Sequence, residues 1–318
     1  MKNIFIISIA ICFVQFTQAQ NKITAPELVL SEDNDFLNFR GEGTDRGYTN
    51  GMRFSVWYSK KNKPALIDRL LITMTGEAIN RYGWGLTQLM YTPCDIETKK
   101  IQYHDRPYAG VLYISRSLIS SNKQKKERIS STISLGTIGR YSYARETQTF
   151  VHKMIRYDKP EGWNNQIKPD IIIDYAIDYE KLLAAPSKNF ELIGNTGGNA
   201  GTLQNDLLAG IQFRAGLLNN YFDDAYGLTT GKTKIFFYMK CNFICVMDNS
   251  SLQGGFFSHR SPYVIPKDSI NRVQMNYEYG ISIAAKKVGV RIYEQIQTQE
   301  FKGTYAQQIG NITLYFKL

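Results

Sequence analysis

From Pro107 onward the chain alternates. Val273, Met275, Tyr277, Tyr279, Ile281 and Ile283 hold one parity, and Arg272, Gln274, Asn276, Glu278 and Ser282 hold the other. That period of two is a strand with one apolar and one polar face. The rhythm repeats at Val288, Val290 and Ile292, at Ile312, Leu314, Phe316 and Leu318, at Leu207, Ala209, Ile211 and Phe213, and at Ile171, Ile173, Tyr175 and Ile177. Met52, Phe54, Val56 and Tyr58, and Ile129, Ile133 and Leu135, continue it upstream. The chain reads as overwhelmingly antiparallel β. One segment departs from the pattern: between Tyr143 and Tyr157, Phe150, Met154 and Tyr157 fall on one side at helical spacing while His152 points elsewhere. This predicts a short helix inside a long connection.

Strand length separates a soluble sandwich from a membrane barrel. The runs Lys234 to Met247 and Arg272 to Ala285 exceed the five or six residues usual in globular sheets, and they suit strands tilted across a bilayer. The 21 tyrosines and 17 phenylalanines are enough for interfacial girdles, while overall hydropathy stays negative because the inner face is polar. Twelve strands, at about 25 residues per strand with its turn, would use the whole chain. The expected fold is therefore an all-β antiparallel transmembrane barrel of about twelve strands, with a short helix in an outer loop.

The start of the chain reads as a cleavable secretory signal over residues 1–19: Lys2, an apolar run from Ile4 to Phe16, and small residues ending at Ala19. The run is too short for a transmembrane helix of about 20 residues. Residues 20–318 then form one barrel domain, with no linker-like composition and no later run long enough for a spanning helix. Of the mature cysteines, Cys94, Cys241 and Cys245, the last two would stand about 13 Å apart along one strand face at 3.3 Å per residue, too far to bond. Disulfides are not expected to hold this fold.

Candidate chemistry gathers near two strand entrances. Asp45-Arg46-Gly47-Tyr48-Thr49-Asn50-Gly51 follows the acidic cluster Glu32-Asp33-Asn34-Asp35, and Asp105-Arg106-Pro107-Tyr108-Ala109-Gly110 partly echoes it. The pairs Asp45, Arg46 and Asp105, Arg106 read as structural ties at the barrel rim. Asn34 and Asp35 offer hard oxygens of the kind calcium takes, without a calcium-loop spacing. Strict alternation from Met52 would turn Thr49 into the lumen. Of the three histidines, His104 and His259 read as loop residues, whereas His152, in the helical insert, has the chemistry of a base near neutral pH. The missing Gly-x-Ser-x-Gly elbow argues against the common serine hydrolase arrangement.

In their order, Asn34-Asp35, Asp45-Arg46-Gly47-Tyr48-Thr49-x-Gly51, Tyr91-Thr92-Pro93, Asp105 to Gly110, and His152 followed by Trp163 and Gln166 resemble the outer-membrane lipid A 3′-O-deacylases, the LpxR family. The likeness is specific up to about residue 170. It implies a site between the barrel wall and an outer-loop helix, where calcium-dependent hydrolysis removes the 3′-linked acyloxyacyl group of lipid A. By the same resemblance His152 would activate water, calcium held near Asn34 and Asp35 would stabilise the oxyanion, and Thr49 would orient ligand or water. Lys99 and Lys100 fall where the family's phosphate-binding basic pair is expected, subject to a one-residue slip. The net charge of +10 suits an anionic glycolipid, though it would suit any anionic surface. The other expectations are Ca2+ as cofactor, lipopolysaccharide and the outer membrane as partners, no nucleic acid, and a monomer. Two alternatives remain at this point: a non-enzymatic porin or structural barrel, and another outer-membrane lipid esterase.

Overall fold

A computed structural model describes residues 24–38, 46–60, 65–218, 221–222 and 233–318. The segment read as a signal and Asp45 lie outside the described residues. Twelve strands, β1 (Thr24–Asn34), β2 (Gly47–Ser59), β3 (Ala78–Thr92), β4 (Ala109–Asn122), β5 (Glu127–Ile138), β6 (Asp170–Ser187), β7 (Phe190–Gly201), β8 (Gln204–Leu217), β9 (Lys234–Asn249), β10 (Val273–Ala285), β11 (Val288–Gln297) and β12 (Gln307–Lys317), pair antiparallel with their sequence neighbours. β12 closes on β1, with Glu27 opposite Lys317 and Asn34 opposite Gly310. Closure removes every free edge, the condition for a sheet to span a bilayer. Among the described residues no helix is long and apolar enough to cross a membrane.

The two parities separate as the alternation predicts. On β10, Val273, Ile281 and Ile283 are exposed on the outside, while Gln274 and Ser282 are buried within. On β6, Ile171 and Ile173 are exposed and Ile172 is buried. In the end of the barrel near the start of β1, Val29, Trp57, Phe236, Tyr238 and Tyr315, from β1, β2, β9 and β12, form one buried cluster on the inner face. Beside it Arg214 pairs with Glu191 at 2.6 Å and Arg81 with Glu27 at 3.3 Å. Side chains fill this end of the lumen.

The connections after β1, β3, β5, β7, β9 and β11 sit at the opposite end. The β5–β6 connection carries the helix α1 (Ala144–Ile155) and a 3-10 turn at Gly162–Asn165. A shorter helix, α2 (Ser250–Gln253), follows β9. Cys94, Cys241 and Cys245 are free thiols.

Candidate active site at the seam between wall and helix

The wall side begins where β1 stops. Asn34 caps the 3-10 turn Asp35–Leu37, its side-chain oxygen accepting from the Phe36 N–H at 2.8 Å. Asp35 is buried, with Oδ2 accepting the Arg46 N–H at 2.9 Å. Asn34 is in register with Asn50, Asn50 with Met90, and Met90 with Gly110, so these four residues form one rung across β1 to β4.

Thr49 corrects the parity expectation. The β2–β3 register shifts between Tyr48 and Asn50, a bulge that adds one residue to β2 and ends strict alternation there. Tyr48 and Tyr91 pair and line the polar lumen cavity with Asp33 and Arg53. Thr92, next along β3, therefore takes the outer face, and Thr49 Oγ1 lies 2.7 Å from Thr92 Oγ1. Thr49 thus belongs to the outer wall, just above the Asn34–Asn50–Met90 rung.

The helix α1 covers that wall over β3 and β4. Gln88 Nε2 donates to the Ser142 carbonyl at 2.6 Å. A Cβ on Gly110 would stand 2.5 Å from Ala144 Cβ, so the missing side chain is what lets the helix start sit flush. Met90, Tyr108, Ala144 and Trp163 close into a buried cluster. The helix is inverted relative to one on a soluble protein. Its buried stripe is Ala144, Gln148 and His152, while Phe150 and Met154 are 63% and 66% exposed. An apolar face turned away from the wall suits a helix bathed by the outer leaflet.

His152 is 5% exposed. Its Nδ1 lies against the backbone carbonyl of Asp158. A carbonyl only accepts, so Nδ1–H donates and Nε2 carries the lone pair of the neutral ring. The Tyr157 ring meets the imidazole edge-on at 5.1 Å. One turn back, Gln148 Oε1 accepts the indole N–H of Trp163 at 2.7 Å. Gln148 was not singled out in the sequence, although its place four residues before His152 is a legible signal. Wall and helix are thus joined through Met90, Trp163 and Gln148 to the stripe that bears His152.

The other predicted residues sit further out. Lys99 is exposed, 3.9 Å from Glu161, and its carbonyl accepts from Asn165 at 2.9 Å. Lys100 lies beside it, its N–H donating to Thr98 Oγ1 at 3.2 Å. Asp105 and Arg106 do not pair side chain to side chain. Asp105 accepts the Cys94 N–H at 2.7 Å. Arg106, buried, pairs with Glu300, donates to Ser251 at 2.8 Å and stacks on Tyr91 at 4.2 Å. Burial pushes its guanidinium down to about 10, so it is still charged at neutral pH beside Glu300. Arg46 stacks on Tyr305 at 4.5 Å. Both arginines tie loops across the rim, and sequence reasoning missed Glu300 because it lies 194 residues from Arg106. Among the described residues no group of three His, Cys, Asp or Glu could hold a metal ion. The oxygen donors near the β1 end include the Asn34 carboxamide, the Asp35 carboxylate, the Asn50 carboxamide on the same rung and backbone carbonyls.

A family model described as "Outer membrane protein LpxR" matches residues 4–318, well beyond the first half that carries the motifs. No curated protein sequence matches the chain. The solved structure of LpxR from Salmonella typhimurium superposes with a TM-score of 0.72 at 18% identity, covering 92% of this chain and 100% of that one. The translocator domain of the autotransporter NalP from Neisseria meningitidis gives 0.47 at 8% identity, covering 100% of this chain and 96% of that one. At 18% identity the likeness to the Salmonella structure is one of fold.

Proposed function

The chain belongs to the LpxR family, outer-membrane lipid A deacylases and so ester hydrolases, and from that membership we propose that it removes the 3′-linked acyloxyacyl group of lipid A at the seam between the barrel wall and α1. The observation that carries this reading is His152, buried on the wall-facing stripe of the helix with Nδ1 committed to a backbone carbonyl. In that tautomer Nε2 takes a proton from water as the water oxygen attacks the ester carbonyl. The tetrahedral oxyanion then collapses. The bond from the carbonyl carbon to the sugar oxygen breaks, the imidazolium returns its proton to that oxygen, and a free fatty acid and a sugar hydroxyl leave. No covalent acyl-enzyme is required.

Thr49, held by Thr92 on the outer wall, orients water or substrate. Asn34 and Asp35 supply a carboxamide and a carboxylate within one turn, the hard oxygens that calcium takes. A calcium ion held there would polarise the ester carbonyl, worth several kcal/mol of oxyanion stabilisation. Lys99 and Lys100 extend from the neighbouring loop, where they would meet a phosphate of the glycolipid. A porin role is disfavoured because a porin needs a water-filled lumen, and here a buried aromatic cluster occupies one end.

The test is lipid A incubated with the purified barrel and read by mass spectrometry. Loss of one acyloxyacyl unit that falls by about 10² to 10⁴ in rate in His152→Ala, and that stops on chelation of calcium, is expected. Deacylation that persists in His152→Ala would remove His152 from the mechanism.

A further inference from the structure

The rung below the candidate site holds a carboxylate on the lipid-facing side of the wall. Glu32 is in register with Met52, Met52 with Gln88, and Ile312 with Glu32. Met52 and Ile312 are both exposed on the outer face. The next rung down is Leu314, Leu30, Phe54 and Leu86. Together these two rungs line a groove of about 600 Å³, within the size range of small-molecule sites. It lies about 7 Å from Asn34, two residues along a strand at 3.3 Å each.

Ile114, Leu135 and Ile173 are exposed aliphatic side chains of the outer wall, and ionisable groups of the same outward parity such as Arg116 and Glu294 are buried and paired, with Asp68 and Tyr279. An ionisable side chain on a lipid-facing surface carries a cost and marks function by default. Gln88 is engaged by the Ser142 carbonyl at the base of α1. Glu32 receives the Asn50 amide on Oε1, and a carboxylate has acceptor capacity for several donors. Asn50 also donates to the Asp33 carbonyl at 3.3 Å, which fixes the carboxylate in place at the mouth of the groove.

We propose that this groove is an acyl-chain subsite in which Glu32 accepts a hydrogen bond from a donor beside the scissile ester. The donor is the amide N–H of a neighbouring N-linked chain or the hydroxyl of a hydroxyacyl chain. The apolar rung takes the hydrocarbon, and the carboxylate registers the chain so that the ester reaches the Asn34–Asn50 rung. This extends the deacylase reading, and Glu32 acts as a specificity and positioning residue rather than a catalytic one.

Binding separates this proposal from turnover. Lipid A in mixed micelles is titrated against the full-length His152→Ala barrel with and without Glu32→Leu, Glu32→Gln or Leu86→Trp. Glu32→Leu is expected to weaken binding about ten-fold, as for loss of one hydrogen bond. Glu32→Gln, which keeps an acceptor, should weaken it about three-fold, and Leu86→Trp, which fills the groove, about ten-fold. All of these face outward, so the closed barrel should still form. In the active background the same changes should raise KM, and Glu32→Leu, which frees the chain to slide, should also lower kcat, whereas Glu32→Gln should recover most of the kcat. A lipid A analogue without free acyl hydroxyls tells the donors apart: a retained Glu32→Leu effect assigns the amide, a lost effect the hydroxyl. Unchanged affinity in Glu32→Leu and Leu86→Trp overturns the subsite, and so does restoration of Glu32→Leu by excess calcium, which would make Glu32 an ion ligand. Weakened binding alongside a wild type that never releases fatty acid would sink the deacylase reading and leave the groove standing.

Discussion

Replacing Gly110 with alanine tests whether the helix must lie flush on the wall. Gly110 opens β4 in register with Met90, and its carbonyl accepts the Gly139 N–H at 2.7 Å, so its backbone is committed on both sides. An added Cβ would stand 2.1 Å from Ser142 Oγ and 2.5 Å from Ala144 Cβ. Carbon pairs in contact prefer about 3.5–4.0 Å, so the start of α1 must lift by about 1 Å. The strand is held by its ladder and cannot yield as easily. A displacement of about 1 Å at a catalytic group costs on the order of 10²-fold in rate. Gly110→Ala is therefore expected to lower kcat/KM for lipid A deacylation by about 10², with the barrel's urea unfolding midpoint unchanged. Trimming the opposing atoms, as Gly110→Ala with Ser142→Ala and Ala144→Gly, should recover part of the loss. Full activity in Gly110→Ala, in a background where His152→Ala is dead, would refute the idea that the rung under Ala144 sets the position of His152.

Two further outcomes follow from the loops. Arg106→Met leaves Glu300 buried without its partner, a change costing about 3–5 kcal/mol; proteolysis at the outer connections should accelerate, and Arg106→Lys should rescue only part because it lacks the planar fork that reaches Glu300 and Ser251 together. At the other end, burial raises the Asp68 carboxyl, but hydrogen bonds from Lys60, the Ala65 N–H and Arg116 outweigh it and hold the group below its ordinary 3.8. A depressed carboxyl contributes stability that is complete above its unfolded value and fades as pH falls through the folded one. Urea midpoints should therefore drop below about pH 4 in the wild type, and Asp68→Asn should flatten that part of the profile; an identical pH profile in the two proteins would refute the role of the pair.

The barrel was legible because a membrane sheet imposes its period on every strand: lipid on one side and packed polar groups on the other repeat at i and i+2 regardless of what lies far away. β10 and β6 behave as their alternation requires, and the helix at 144–155 was marked by the break in that rhythm. The candidate site was legible only in part. His152, Asn34 and Thr49 could be named from spacing and resemblance, but the direction of Thr49 could not. A bulge depends on how two strands register, and a single strand's sequence does not contain its partner.

What the chain alone determined is therefore its local code: strand parity, the helical insert, and the residue types able to hold an ion or move a proton. What tertiary structure decided is which distant residues meet. Arg106 found Glu300, Gln88 found the Ser142 carbonyl, and Glu32 met Asn50 on the lipid-facing side of the wall. Those meetings are set by barrel closure and strand stagger, which sum the geometry of all twelve strands, and no window of neighbouring residues carries that sum.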